Sequence, residues 1–276
     1  MAEDVRSLNL KANVMKQQII YFIKRALQKL DISLVRHSAL RDFAEGNSAS
    51  SDIEILLSLP EDTALQRIRY FRQSKSQFRQ DLFVLSQLKF KRNGFFVEFG
   101  ATNGIDLSNT FLLEREFGWS GILAEPAKCW HQELTMNRRC HIETDCVWKD
   151  SQSELEFNEV DTAELSTINR YSDHDLYKRN RKSGKTYTVR TISLNDLLSK
   201  YAAPRVIDYL SIDTEGSEYE ILSNFDFSRH TFGVITCEHN YTAMREKIFK
   251  LLTDNGYVRV LEELSMVDDW YVWRAQ

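Results

Sequence analysis

Along residues 5–36, apolar side chains recur at three- and four-residue spacing (Leu8, Met15, Ile19, Phe22, Ala26, Leu30), with Lys11, Lys16, Lys24, Arg25 and Lys29 on the remaining surface. That period predicts one long amphipathic helix. Its basic face suits an anionic membrane surface, and its apolar stripe suits its own domain or a second subunit. Residues 44–52 are small and polar and read as a linker. Helical patterns follow over 53–59, over 61–72 behind Pro60, and over 77–90. A proline just ahead of a helix costs little, because its missing N–H would lack a partner there. This divides the chain into a helical extension, 1–76, and a second domain, 77–276.

Beyond Asn93-Gly94 the pattern changes. Phe95 to Phe99 is a short apolar run closed by Gly100, the mark of a strand buried on both faces. Further strands are expected at 121–124, 141–147, 155–160, 187–192, 206–212, 232–238, 257–262 and 267–273. Helices are expected at 108–117, 127–137, 194–201, 217–224 and 241–254. Residues 162–186 are polar and aperiodic. Strands alternating with helices predict an α/β fold with a mostly parallel sheet covered on both faces. The turn between the last two strands is too short for a crossover, so they pair antiparallel.

Composition narrows the function. The 276 residues carry 36 Lys and Arg against 40 Asp and Glu, a net charge of −4, which argues against a nucleic-acid partner. Apolar residues at 42% and charged residues at 28% exclude a disordered chain. The run Ile19 to Ile23 is too short to span a bilayer and there is no secretory h-region, so a cytoplasmic location is expected, with membrane association through the N-terminal helix as its variant. Cys129, Cys140, Cys146 and Cys237 form no C-x-x-C pair and read as reduced, mostly buried side chains.

In such a sheet, ligands bind beyond the carboxyl ends of the strands. The first strand delivers Glu98-Phe99-Gly100-Ala101-Thr102-Asn103-Gly104, whose two glycines permit a tight turn and close approach to a ligand. Thr102 and Ile105 stand where the dinucleotide fingerprint needs glycine, which counts against a nicotinamide-dependent dehydrogenase. The second strand ends at Glu125, placed to accept both hydroxyls of a ribose. Asp213, Glu215, Glu218, Glu238 and His239 follow the next strands at the same rim. Acids so crowded repel one another unless a cationic ligand, a metal or proton-transfer work compensates.

These segments, together with Gln80-Asp81-Leu82-Phe83, Ser108-Asn109-Thr110, Gly118-Trp119-Ser120-Gly121-Ile122-Leu123-Ala124-Glu125-Pro126 and Ile212-Asp213-Thr214-Glu215-Gly216-Ser217-Glu218, resemble the FkbM family of S-adenosylmethionine-dependent methyltransferases. The resemblance covers roughly 77–273. It implies a class I, Rossmann-like methyltransferase with a seven-stranded sheet, and O-methylation of a sugar or polyketide-type hydroxyl, here a glycan or glycan precursor. Carried over by position, Gly100, Ala101 and Gly104 wrap the methionine end of S-adenosylmethionine and Glu125 holds its ribose. Asp145-Cys146-Val147 flank the adenine, and Asp213 sits beside the sulfonium. Glu98, Thr102, Asn103, Ser108, Asn109, Thr110 and Glu215 complete the expected cofactor site. Glu98 departs from the Asp of many relatives, and Ser211 stands where many carry Lys.

An alcohol is a poor nucleophile until it loses its proton, so O-methylation calls for a base. His239 is the expected one, with Asp213 or Glu238 orienting it. The rival is Mg²⁺ held by Asp213 and Glu238 with His239 as third ligand, as in metal-dependent O-methylation of a small natural product. A catalytically silent glycan-pathway scaffold is a third reading. The basic run Lys178, Arg179, Arg181, Lys182 and Lys185 predicts contact with an anionic acceptor.

Overall fold

The computed structural model describes residues 52–173 and 178–274. The helix expected over 5–36 and nearly all of the linker lie outside the described residues. Among the described residues no helix is long and apolar enough to cross a membrane.

Seven strands form the main sheet: β1 (Phe95–Phe99), β2 (Ser120–Ala124), β3 (His141–Glu143), β8 (Val206–Ile212), β9 (Thr231–Glu238), β10 (Tyr257–Val260) and β11 (Asp268–Trp273). Their order is β10-β11-β9-β8-β1-β2-β3. All pairings are parallel except those of β11, which runs against both β9 and β10. The expected reversal of the last strand is therefore present.

Alternation along each strand builds two cores. Val97, Ile122, Leu210 and Ile235 face one side, against Leu197 of the helix Leu194–Lys200, Ile221 of Glu218–Ser223 and Leu252 of Met244–Asp254. Phe96, Leu123, Tyr209 and Val234 face the other, against Phe83 of Gln80–Gln87, Leu113 of Phe111–Phe117 and Leu134 of His131–Asn137. Successive strand residues point to opposite faces, and both faces are dry here, which is why the strands read as unbroken apolar runs.

Ile55 and Leu59 share this second core with Leu82 and Phe83, and Tyr70 packs its ring 4.8 Å from that of Phe117. The described helices ahead of residue 77 thus belong to the same packing unit, and the boundary expected at 76 is not a break in the core.

The strand expected at 141–147 is divided. Glu143 Oε1 accepts from the N–H groups of Thr144 and Asp145 at 3.0 and 3.1 Å, turning the chain out of the main sheet. β4 (Cys146–Trp148) then enters a second sheet of order β4-β7-β5-β6, with β5 (Glu154–Glu159), β6 (Thr167–Ile168) and β7 (Lys185–Ser193). The aperiodic stretch 162–186 supplies β6 and the start of β7. Its apolar partners are Cys146, Trp148, Phe157, Ile168 and Val189.

Candidate active site

The carboxyl ends of β1, β2 and β8 open into one cleft. Its floor is set by the turn after β1. Gly100 has φ +73°, and a Cβ there would lie 2.1 Å from the backbone oxygen of Asp213. Gly100 N–H donates to Ala124 O at 3.1 Å, and Thr102 N–H donates to Glu125 Oε2 at 2.8 Å. Glu125 Oε1 accepts from Ala127 N–H at 2.8 Å. The carboxylate at the end of β2 is thereby fixed on both oxygens, each keeping a lone pair for a further donor. Its burial pushes its pKa up to about 7, against the two backbone N–H bonds that favour the ionised form.

A second carboxylate shapes the following loop. Glu98 accepts from Asn109 N–H at 2.7 Å, from Ser108 Oγ at 3.1 Å and from Thr110 Oγ1. Arg138, buried behind it, donates to Gly104 O and Ser108 Oγ, both at 3.1 Å, to Thr110 Oγ1 at 2.9 Å and to Glu114 Oε2 at 2.7 Å. Glu98 is raised by desolvation and held back by the Arg138 guanidinium. Asn109 Nδ2 donates to Ser211 Oγ at 3.0 Å, leaving the buried Asn109 Oδ1 without a partner beside the cleft. A buried acceptor of that kind is ready for a ligand N–H or O–H.

Of the residues expected from sequence, Glu98, Gly100, Thr102, Asn109, Glu125, Cys146 and Asp213 line the cleft. Ala101, Asn103, Gly104, Ser108, Thr110 and Asp145 do not. Ala101 is part of the core, Gly104 packs on Leu134 and Arg138, and Ser108 and Thr110 bind Glu98. Asn103 caps its own turn through Ile105 and Asp106, and Asp145 pairs with Arg190 at 3.0 Å.

Glu215 is also displaced from its expected role. Its Oε2 accepts from Arg181 Nη2 at 2.7 Å and from Asn240 Nδ2 at 3.2 Å, while its backbone oxygen accepts from Thr167 Oγ1 at 2.9 Å. It fastens the second sheet's loop to the turns after β8 and β9.

His239 is placed differently from the expectation. Alternation at the end of β9 puts Glu238 at the rim and turns His239 away from the cleft. The imidazole is buried, with Nδ1 accepting from Tyr241 N–H at 3.0 Å and Nε2 3.7 Å from Asp269 Oδ1. Asp269 is itself held by Arg245 at 2.7 Å and Arg259 at 3.2 Å. Burial lowers the His239 pKa. It is a neutral packing residue outside the cleft, positioned neither as base nor as metal ligand.

The oxygens that converge within 4.8 Å of one another are those of Asp213, Glu215 and Glu238. The Arg181 guanidinium already compensates Glu215, so no Mg²⁺ is assigned to this group. Arg181 is correspondingly not an acceptor contact, because its side chain is buried. Lys178, Arg179, Lys182 and Lys185 are exposed. Arg181→Ala is expected to cost about 3 kcal/mol by leaving Glu215 without its cation. Joint Arg179→Ala and Lys182→Ala should stay within about 0.5 kcal/mol. Urea unfolding compares the two directly.

Among the cleft residues without a forecast are Gln77, in the turn before the helix ahead of β1, Gln80, the first residue of that helix, and Asp268 of β11. Gln80 Nε2 donates to Asp268 Oδ2 at 2.8 Å, and burial pushes the Asp268 pKa up to about 7. Since β11 runs backwards, its first residue lies beside the last of β9, pairing Asp268 with Glu238. The antiparallel turn in the sequence carried that signal.

A sheet of this order with a glycine turn at β1 and a fixed acid at β2 is the frame of the Rossmann-like methyltransferases, and this chain is an S-adenosylmethionine-dependent enzyme of that class. Residues 98–259 match the model of the Methyltransferase FkbM domain, and the chain belongs to that family. Among solved structures it is similar to the methyltransferase FkbM from Methylobacillus flagellatus KT, at 11% identity and TM-score 0.43, over 77% of this chain and 60% of that one. It is similar also to precorrin-6y C5,15-methyltransferase from Geobacter metallireducens GS-15, at 14% identity and TM-score 0.38, over 71% and 87%. The O-methyltransferase from Bacillus cereus in complex with SAH gives 13% identity and TM-score 0.36, over 91% and 94%. No curated protein matches the chain.

The residues present fit the cofactor. The Gly100 turn brings the backbone after β1 against Asp213 at the cleft floor, closer than a side chain would allow, Glu125 has spare lone pairs for a ribose, and Asn109 Oδ1 awaits a donor. When bound, S-adenosylmethionine supplies an activated methyl group on a cationic sulfur. The chain's own part is to hold and orient it, and to balance that charge.

Proposed function

We propose that this protein O-methylates a hydroxyl of an uncharged, polyhydroxylated acceptor, a sugar of a glycan or glycan precursor. The supporting observation is the chemistry around Asp213. Gln77, Gln80, Asn109, Ser211 and Asp268 line the same cleft, and among the described residues no Lys, Arg or His lines it. Amides and carboxyls bind hydroxyls well, whereas a phosphate or carboxylate in this cleft would meet acids without a cation. This reading replaces the anionic acceptor expected from the basic run.

The test is transfer of radiolabelled methyl from S-adenosylmethionine to neutral oligosaccharides, sugar phosphates and nucleotide sugars in parallel. Mass spectrometry then locates a one-methyl increment. Label on the phosphorylated set alone would overturn the uncharged acceptor, and label on a nitrogen would overturn O-methylation.

Glu125 should dominate cofactor affinity. Losing an ionised acceptor from a ribose costs about 1.5–3 kcal/mol. Glu125→Ala is thus expected to weaken S-adenosylmethionine binding by roughly ten- to hundredfold with the fold intact. Ribose hydroxyls donate to the ionised carboxylate, so binding favours proton loss from Glu125. With its free pKa at about 7, affinity should hold above that pH and fall below it. The dependence should be shared by S-adenosylmethionine and S-adenosylhomocysteine, since both carry the ribose. Calorimetry from pH 6 to pH 8 checks the sign.

A further inference from the structure

Asp213 and Glu238 sit at adjacent strand ends, β8 and β9, and their carboxyl oxygens converge within 4.8 Å of one another. Two ionised carboxylates that close repel each other, and a single proton bound to the pair relieves the repulsion. The pair therefore holds one proton between two carboxyls in the empty cleft. The groups facing it are acidic too. Glu98 comes from β1, Glu125 from β2, Glu218 from the helix after β8 and Asp268 from β11. Glu215 adds a further carboxylate, compensated by Arg181. Glu218 is spent on its own loop, accepting from Thr214 N–H and Gly216 N–H at 3.0 Å each. Asp213 opens onto the cleft and Glu238 is buried behind it.

We infer that the Asp213–Glu238 pair is a proton store coupled to the charge of the cofactor: it gives up its shared proton when the cationic sulfonium form binds, keeps it when the neutral thioether form binds, and takes the acceptor's proton as the methyl group leaves. This deepens the methyltransferase reading and rests on it.

The balance closes within one turnover. On binding, the shared proton leaves to solvent and the cofactor's positive charge replaces it beside the two carboxylates. In the transfer, a lone pair of the acceptor oxygen forms the new O–C bond. The C–S bond breaks with its electron pair going to sulfur, which becomes neutral. The hydroxyl proton moves to the carboxyl pair as the positive charge disappears. Empty and product-bound cleft then carry the same protonation, and the overall reaction releases one proton.

Three effects make the exchange favourable. Desolvation within the cleft pushes the Asp213 pKa up to about 7 although its side chain opens onto that cleft, burial pushes that of Glu238 well above the ordinary carboxylate range, and each carboxyl's neighbours add repulsion. Two carboxyls this close titrate as a unit and cannot both ionise without compensation. A fixed positive charge a few ångströms away supplies that compensation in a low-dielectric site.

The experiment needs no acceptor. Binding of S-adenosylmethionine and of S-adenosylhomocysteine is measured by calorimetry near pH 7, in phosphate and in Tris, whose ionisation enthalpies differ. The difference in apparent enthalpy counts the protons exchanged. About one more proton should be released with S-adenosylmethionine than with S-adenosylhomocysteine. Glu125 contributes equally to both and cancels in the difference. In wild-type protein the ratio of the two affinities should fall by up to tenfold per pH unit below the titration of the pair and level off above it. In Glu238→Gln and Asp213→Asn the proton difference should vanish. Equal proton counts for the two ligands in wild type, with both bound, would overturn the inference and leave the cofactor site standing. An unchanged difference in folded Glu238→Gln would do the same. Absence of binding by either ligand would remove the cofactor site and the inference together.

Discussion

Arg138→Ala is expected to lower stability by about 5 kcal/mol, the upper end of the cost of breaking a buried charge pair. The guanidinium is almost fully buried and lies 3.8 Å from Glu98 Oε2. Its removal leaves the buried Glu98 without its cation and frees Gly104 O, Ser108 Oγ and Thr110 Oγ1 together. The Glu98 pKa would then rise further, since burial already raises it and Arg138 is the main opposing influence. At about 2–4 °C per kcal/mol for a domain of this size, the midpoint should drop by about 10–20 °C. Arg138→Lys keeps the charge and loses the fork, so it should recover only part of the loss. Calorimetric melting of the three proteins settles the order. A drop of less than about 2 °C for the alanine variant would show that Glu98 finds compensation elsewhere.

That buried arginine marks the limit of what the sequence revealed. Strands β1, β2 and β8 were legible because central parallel strands are apolar on both faces, and their ends locate Gly100, Glu125 and Asp213 without further information. Legibility failed where one residue decides a direction. Glu238 and His239 are neighbours in sequence, but alternation turns Glu238 toward Asp213 and Glu215 and His239 toward Asp269. At 141–147 the apolar pattern runs on through a sheet change, because Glu143 turns the backbone while β4 and the main strands bury similar side chains. Arg181 reads as a surface cation within its basic run and Arg138 draws no reading at all, since nothing local to them reveals that Glu98 and Glu215 are waiting in the interior.

The insertion illustrates the same point from the side of function. A run of basic residues suggests an electrostatic surface for an anion. Folding removes Arg181 from that surface and joins it to Glu215, so the run becomes a clamp that fastens the second sheet to the turns beside Asp213 and Glu238. Phe157 and Ile168 then reach the cleft wall from β5 and β6. The excursion between β3 and β8 thus contributes apolar cover to the site, and Gln77, Gln80 and Asp268 add polar groups to its lining.

Gly100→Ala should abolish cofactor binding by moving Asp213. The backbone at Gly100 has φ +73°, a conformation costing an L-residue with a Cβ about 1–2 kcal/mol. Strain alone would leave the site usable. The decisive contact is the 2.1 Å between the added Cβ and Asp213 O, a backbone atom that cannot swing aside. The turn after β1 and the end of β8 must separate to about a normal van der Waals distance. That shift breaks the alignment of Asp213 with Glu238 and moves Thr102 N–H away from Glu125. Displacements near 1 Å at such positions cost about a hundredfold, so S-adenosylmethionine affinity should fall by at least that much. Gly118→Ala provides the control. Gly118 also has positive φ, +69°, but its added Cβ would meet only the Asn93 side chain at 3.0 Å. That variant should lose about 1 kcal/mol of stability and bind S-adenosylmethionine as the wild type does. Thermal unfolding and calorimetry on both proteins separate strain from site. Wild-type affinity in folded Gly100→Ala would show that the cleft does not depend on the close approach of these two strand ends.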